Sequence, residues 1–184
     1  HLIYLESQYF RSRVISKALA RAAREKPDLK LILVLPAAPD DVAFEHSTKS
    51  DARFGEYLQA KSVRKVTRAF GKRCLVMSPA RPVKMENDSG RAAHYDAPMI
   101  YLHSKVSIFD ETDAIISSAN LNGRSMRWDT EVGTHLTDPE TVKELKSRSF
   151  SHWLPNDAGP EFHDLNTATS AWRMASVAPR SMPA

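Results

Sequence analysis

LKLILVLP, residues 29–36, decides the fold class. Apart from Lys30 the run is apolar until Pro36 stops it, with no polar residue at alternate positions. A strand with one wet face would alternate, so this one is read as buried on both faces, as in a parallel sheet covered by helices. Outward on the N-terminal side, Val14, Ile15, Ala18, Leu19 and Ala22 recur at helical spacing within residues 11–26, with Arg and Lys opposite and Pro27 beyond. LIYLESQYF, residues 2–10, precedes this helix as another strand. Strand, helix and strand with short links predict a parallel pair joined by a right-handed crossover.

The order repeats downstream. Residues 37–51 are polar and irregular, Ala52 to Phe70 reads as a helix, and RCLVMSP as a third strand. Residues 79–98 hold turn formers and little period, and are read as an ordinary exposed loop. MIYLHSKVSIFD and DAIISSAN follow as two strands with a turn at Glu111 and Thr112, then DTEVGTHL as another. In DPETVKELKSRSFSHWL the Asp-Pro pair starts a closing helix. The expected fold over residues 1–154 is α/β, a mixed β-sheet flanked by helices on both faces. After Pro155, residues 155–184 lose period and apolar density and are expected to form a loosely packed tail docked through Trp172.

The chain has 184 residues, 42% hydrophobic and 26% charged, which suits one domain with a core of its own. A net charge of +4 and a pI near 9.2 fit an anionic substrate or surface without requiring nucleic acid. Cys74 is the single cysteine, which excludes an intrachain disulfide and a cysteine-rich zinc site; it stands in the apolar run CLVM as a core residue. No apolar run reaches the length of a membrane span, and the N-terminus lacks a signal layout. The chain starts on His1 and enters a strand at once, which predicts part of a longer protein. The expected setting is cytoplasmic or membrane-associated.

The chemistry concentrates in residues 101–131. If residues 100–109 form one strand, alternation puts His103 and Lys105 side by side on one face. Singly, each has an ordinary reading as a structural histidine and a solvent-reaching lysine. Together on an interior strand, two cations repel unless an anion such as phosphate joins them. Ser117, Ser118 and Asn120 close the next strand, either as turn chemistry or with Ser118 and Asn120 donating to an oxyanion. Asp129 and Glu131 follow, and one of them could accept a hydrogen bond from the histidine and fix its tautomer.

His103, Lys105 and Asp110 have the spacing H-x-K-x(4)-D, and with SSAN the stretch resembles the signature of the phospholipase D superfamily. NLNGRSMRWDTEVG, residues 120–133, resembles the segment after the second signature of bacterial phospholipase D and cardiolipin synthase relatives. IYLESQYF resembles the strand that opens the second half of two-motif members. The likeness covers roughly residues 1–150, with Ser117 where the family usually has glycine.

The resemblance implies a phospholipase D-like half-domain, no cofactor and no metal. It implies displacement at phosphorus through a phosphohistidine, with one histidine as nucleophile and another as acid and base. Lys105 and Asn120, with Ser118 in support, would hold the non-bridging oxygens. Glu131 would orient His103, with Asp129 second, and Asp110 would act away from the phosphate in a structural hydrogen bond or ion pair. None of His1, His46, His94, His135, His152 and His163 has a lysine two residues on, so one motif gives half a site. The partner half is either a missing N-terminal segment, the favoured reading, or a second copy across a two-fold axis. In the favoured reading His103 is the acid and base, with nucleophile as the alternative. The expected substrate is a phospholipid head group, hydrolysed or transferred, with peripheral membrane contact. The alternatives are a metal-independent nuclease of the same fold and a half-domain inactive alone.

Overall fold

A computed structural model describes residues 1–81, 83, 92–94 and 97–177. The loop read at 79–98 is therefore described only in part, and residues 178–184 lie outside the described residues. In chain order the elements are β1 (Leu2–Glu6), α1 (Arg13–Glu25), β2 (Lys30–Val34), a short α2 (Asp40–Ala43), α3 (Ser50–Phe70) and β3 (Cys74–Met77). There follow β4 (Ala93–His94), β5 (Ala97–Pro98), β6 (Val106–Phe109), β7 (Asp113–Ser117), β8 (Gly133–Leu136), α4 (Pro139–Trp153) and α5 (Ala168–Val177). The main sheet has six strands in the order β3-β2-β1-β6-β7-β8. β1, β2 and β3 pair in parallel, while β6, β7 and β8 add on antiparallel, so the sheet is mixed.

The continuous apolar runs have the predicted cause. On one face of the sheet Ile3, Leu5, Leu31 and Leu33 pack against Leu19 and Ala23 of α1 and Val66 and Phe70 of α3. On the other, Leu2, Tyr4, Ile32 and Val34 pack against Val142 and Phe150 of α4 and Ala168 and Trp172 of α5. Helices thus cover both faces, and β1 is buried at every position. Ser12 caps α1 by accepting from Ile15 N at 3.3 Å. Asp138 caps α4 by accepting from Thr141 N at 2.9 Å, with Pro139 in the first turn.

Several boundaries differ from the sequence reading. MIYLHSKVSIFD is a strand only over Val106–Phe109: its neighbour β1 ends at Glu6, opposite Val106, and although Lys105 O still accepts from Ser117 N of β7 at 3.1 Å, the segment before Lys105 leaves the sheet. The alternation expected to put His103 and Lys105 side by side on a strand face does not operate there. LIYLESQYF likewise leaves the sheet after Glu6, and Phe10 returns only as an isolated bridge to Leu121. After Pro155, where the sequence reads as loosely packed, α5 carries Trp172 at 2% exposure among Tyr4 and Phe150. The Trp172 indole donates to Phe162 O at 3.0 Å, and Arg173 Nη2 donates to Cys74 O at 2.6 Å, which fastens α5 to β3. Cys74 is buried, and burial pushes its thiol up to about 11, in keeping with a core residue.

Candidate active site

The strand directions decide where the polar residues meet. The C-terminal ends of β1, β2 and β3 point the same way, and the antiparallel pairing brings the start of β6, the end of β7 and the start of β8 to that same end. Segments 6–9, 101–105, 117–121 and 131–132 therefore converge on one rim of the sheet. Crevices outside the carboxyl ends of parallel strands are the usual ligand positions in α/β folds.

His103 is exposed on the rim, its ring stacked on Tyr101 with centroids 5.8 Å apart and planes at 10°. Lys105 is 8% exposed, and its Nζ donates to His103 O at 2.6 Å, so the ammonium braces the backbone that carries the imidazole. Ser104 between them donates to the Glu6 carboxylate. Asn120 Nδ2 donates to Gln8 Oε1 at 3.4 Å, and Ser7 Oγ donates to Asn120 Oδ1 at 3.5 Å. Gln8 Nε2 in turn reaches Tyr101 OH at 3.3 Å. Gln8, 6% exposed, thus bridges the strand-end amide to the ring that stacks on His103.

Ser118 donates to Glu131, and its Oγ accepts from Val132 N at 3.0 Å. Asp129 pairs instead with Arg124 at 2.9 Å. Among the described residues neither carboxylate is hydrogen-bonded to His103. Asp110 lies at the opposite end of β6, at φ 56°, where its Oδ1 accepts from Leu2 N at 2.7 Å. Ser117, which stands where glycine is usual in the resembled signature, faces Gly133 across β7 and β8. A Cβ on Gly133 would lie 2.7 Å from Ser117 Cβ, so the glycine opposite provides the room that the serine needs. Among the described residues no group of three His, Cys, Asp or Glu is placed to hold a metal ion.

Glu6 escaped the sequence reading. It is 5% exposed, and besides Ser104 its carboxylate accepts from Tyr4 OH at 2.5 Å and Trp153 Nε1 at 2.9 Å. Burial first, then the Glu6 charge, holds the Tyr4 phenol well above its ordinary pKa, so it stays a donor. The signal was available in LIYLESQYF, where three polar residues directly follow a buried apolar run. Glu6→Ala would take the shared acceptor from three donors, the buried Tyr4 OH and the half-buried Ser104 Oγ and Trp153 Nε1, and we expect a loss of roughly 2–4 kcal/mol in urea unfolding. Glu6→Gln, which keeps one acceptor oxygen, should cost less.

With this geometry in place, comparison with known proteins gives a consistent result. The family described as "Cardiolipin synthase, PLD-like domain" matches residues 1–153. Phospholipase D zeta 1 of Arabidopsis thaliana is 26% identical across 91% of this chain and 18% of its own length. Phospholipase D1 of Rattus norvegicus is 29% identical across 84% of the chain and 17% of its own length. The chain therefore spans less than a fifth of these relatives. Among solved structures, phosphatidylserine synthase from Haemophilus influenzae Rd KW20 superposes with a TM-score of 0.54 at 14% identity, over 95% of this chain and 39% of that one. Nuc from Salmonella typhimurium, a phospholipase D family member, gives 0.50 at 14% identity, over 83% and 74%. At that identity the two structures speak for the fold. The chain belongs to the cardiolipin synthase, PLD-like domain family, and through it to the phospholipase D superfamily.

Proposed function

We propose that this chain supplies one half of an active site that cleaves or transfers a phospholipid head group through a phosphohistidine. The observation that carries the reading is the convergence of His103, Lys105, Ser118 and Asn120 on one rim of the sheet, in a chain of this superfamily. An imidazole from the second half attacks phosphorus, and the bond from phosphorus to the head-group oxygen breaks. His103 gives that oxygen its proton. His103 then takes a proton from water or an acceptor alcohol, whose oxygen displaces the first imidazole. Lys105 and Asn120, with Ser118, offset charge on the non-bridging oxygens as the pentacovalent arrangement forms. Glu131 acts on His103 through or in place of its present contact with Ser118. The second half is another motif-bearing segment or a second copy of the chain.

The test uses the full-length protein with phosphatidylcholine and a primary alcohol. The expected products are phosphatidyl-alcohol and, from water, phosphatidic acid. Formation of neither overturns the lipid reading, and cleavage of DNA in chelator with lipids untouched replaces the substrate with a nucleic acid.

A further inference from the structure

A groove of about 1160 Å³ lies between α1 and α3 on the outer side of the helices, running from Val14 toward their C-terminal ends. α1 supplies Lys17, Arg21 and Arg24 to its walls, and α3 supplies Lys61, Arg64, Lys65 and Arg68. No acidic side chain lines it among the described residues. Arg21 forms an exposed i,i+4 pair with Glu25 at 3.7 Å. Lys17 and Arg21, Lys61 and Lys65, and Arg64 and Arg68 all stand at i,i+4, where like charges weaken a helix. The arrangement becomes favourable when an anionic surface neutralises it.

The same two faces carry apolar groups at one end. Val14 is 62% exposed, Phe54 61% and Tyr57 55%. Phe54 stacks on Tyr57 with centroids 6.3 Å apart, and Lys61 Nζ reaches Tyr57 OH at 3.2 Å, which makes the aromatic end continuous with the cationic wall. α1 and α3 each connect parallel strands, so they run against β1, β2 and β3, and their N-terminal ends lie at the His103 end of the sheet. A nucleic-acid duplex would neutralise the lysines and arginines but, with its bases stacked inside, offers nothing to an exposed valine and phenylalanine beside them, and a single strand that stacked on the rings would still leave Val14 without an apolar partner. A bilayer takes both, with cations among the head groups and apolar side chains at the acyl boundary.

We infer that the outer face of α1 and α3 docks on an anionic membrane surface, with Val14, Phe54 and Tyr57 entering the interface nearest the active-site rim. The docking is independent of turnover, and its test reads binding alone, so failure of the catalytic reading leaves it standing. The full-length protein is sedimented with vesicles of phosphatidylcholine alone or with phosphatidylglycerol at one part in three. We expect binding to the mixed vesicles that weakens as salt is raised. The quadruple variant Lys17→Glu, Arg21→Glu, Arg64→Glu, Arg68→Glu should bind them at least tenfold more weakly, with an unchanged circular dichroism spectrum. Phe54→Ser with Tyr57→Ser should weaken binding several-fold without changing its salt dependence. Equal binding by the quadruple variant, equal binding to neutral vesicles, or tighter binding to DNA than to mixed vesicles overturns the inference.

Discussion

His103→Ala in the full-length protein is expected to lower turnover by about 10²–10⁴-fold, the range for removing a general acid and base. The fold should survive, because the ring is exposed and stacks on the Tyr101 ring at the surface. Leaving-group chemistry separates the two roles open to this histidine. From a p-nitrophenyl phosphodiester, p-nitrophenolate leaves as the phosphorus–oxygen bond breaks, without needing a proton. If His103 is the acid and base, the alanine variant should still release one equivalent of p-nitrophenol in a burst, then stall because nothing activates water. If His103 is the nucleophile, the burst disappears as well. Retention of steady turnover on phosphatidylcholine would remove His103 from the chemistry altogether.

Trp172→Ala carries the largest expected loss of stability. The side chain is 2% exposed, stands edge-on to Phe150 at 5.1 Å and to Tyr4 at 6.2 Å, and donates its indole proton to Phe162 O. Deleting a buried aromatic of this kind costs about 3–5 kcal/mol. For a chain of this size that corresponds to a fall in melting temperature of roughly 6–20 °C. Trp172→Phe, which keeps a ring in the cluster and gives up the hydrogen bond, should fall between. A loss under about 1 kcal/mol by urea titration, within the range of ordinary surface changes, would make residues 155–177 a dispensable appendage.

The centre of the fold was legible because burial on two faces leaves a direct mark on composition: no polar residue can interrupt 31–35, and none does. The strand ends were less legible. A run such as MIYLHSKVSIFD reports its own spacing, but whether it forms a ladder depends on how far β1 extends beside it, and β1 stops at Glu6. The motif residues could be named through the family resemblance that their spacing carries, whereas their partners in the fold could not. Gln8 and Glu6 act across 112 and 98 residues of chain, on Asn120 and Ser104 respectively. Only folding brings such pairs together. α5 was missed for another reason: ATSAWRMASV holds one large apolar anchor, Trp172, in a setting of small residues, so its period is faint although its packing is deep.

The hydrogen bond from Trp153 to Glu6 joins residues 147 apart. It ties the last turn of α4 to the carboxylate that also receives Ser104, the residue between His103 and Lys105. During synthesis the motif therefore emerges some fifty residues before the indole that completes its support. Until α4 has docked, that carboxylate lacks one of its donors and the segment it holds is less firmly set. The finished rim therefore requires α4 to be in place, although no residue of α4 belongs to the motif.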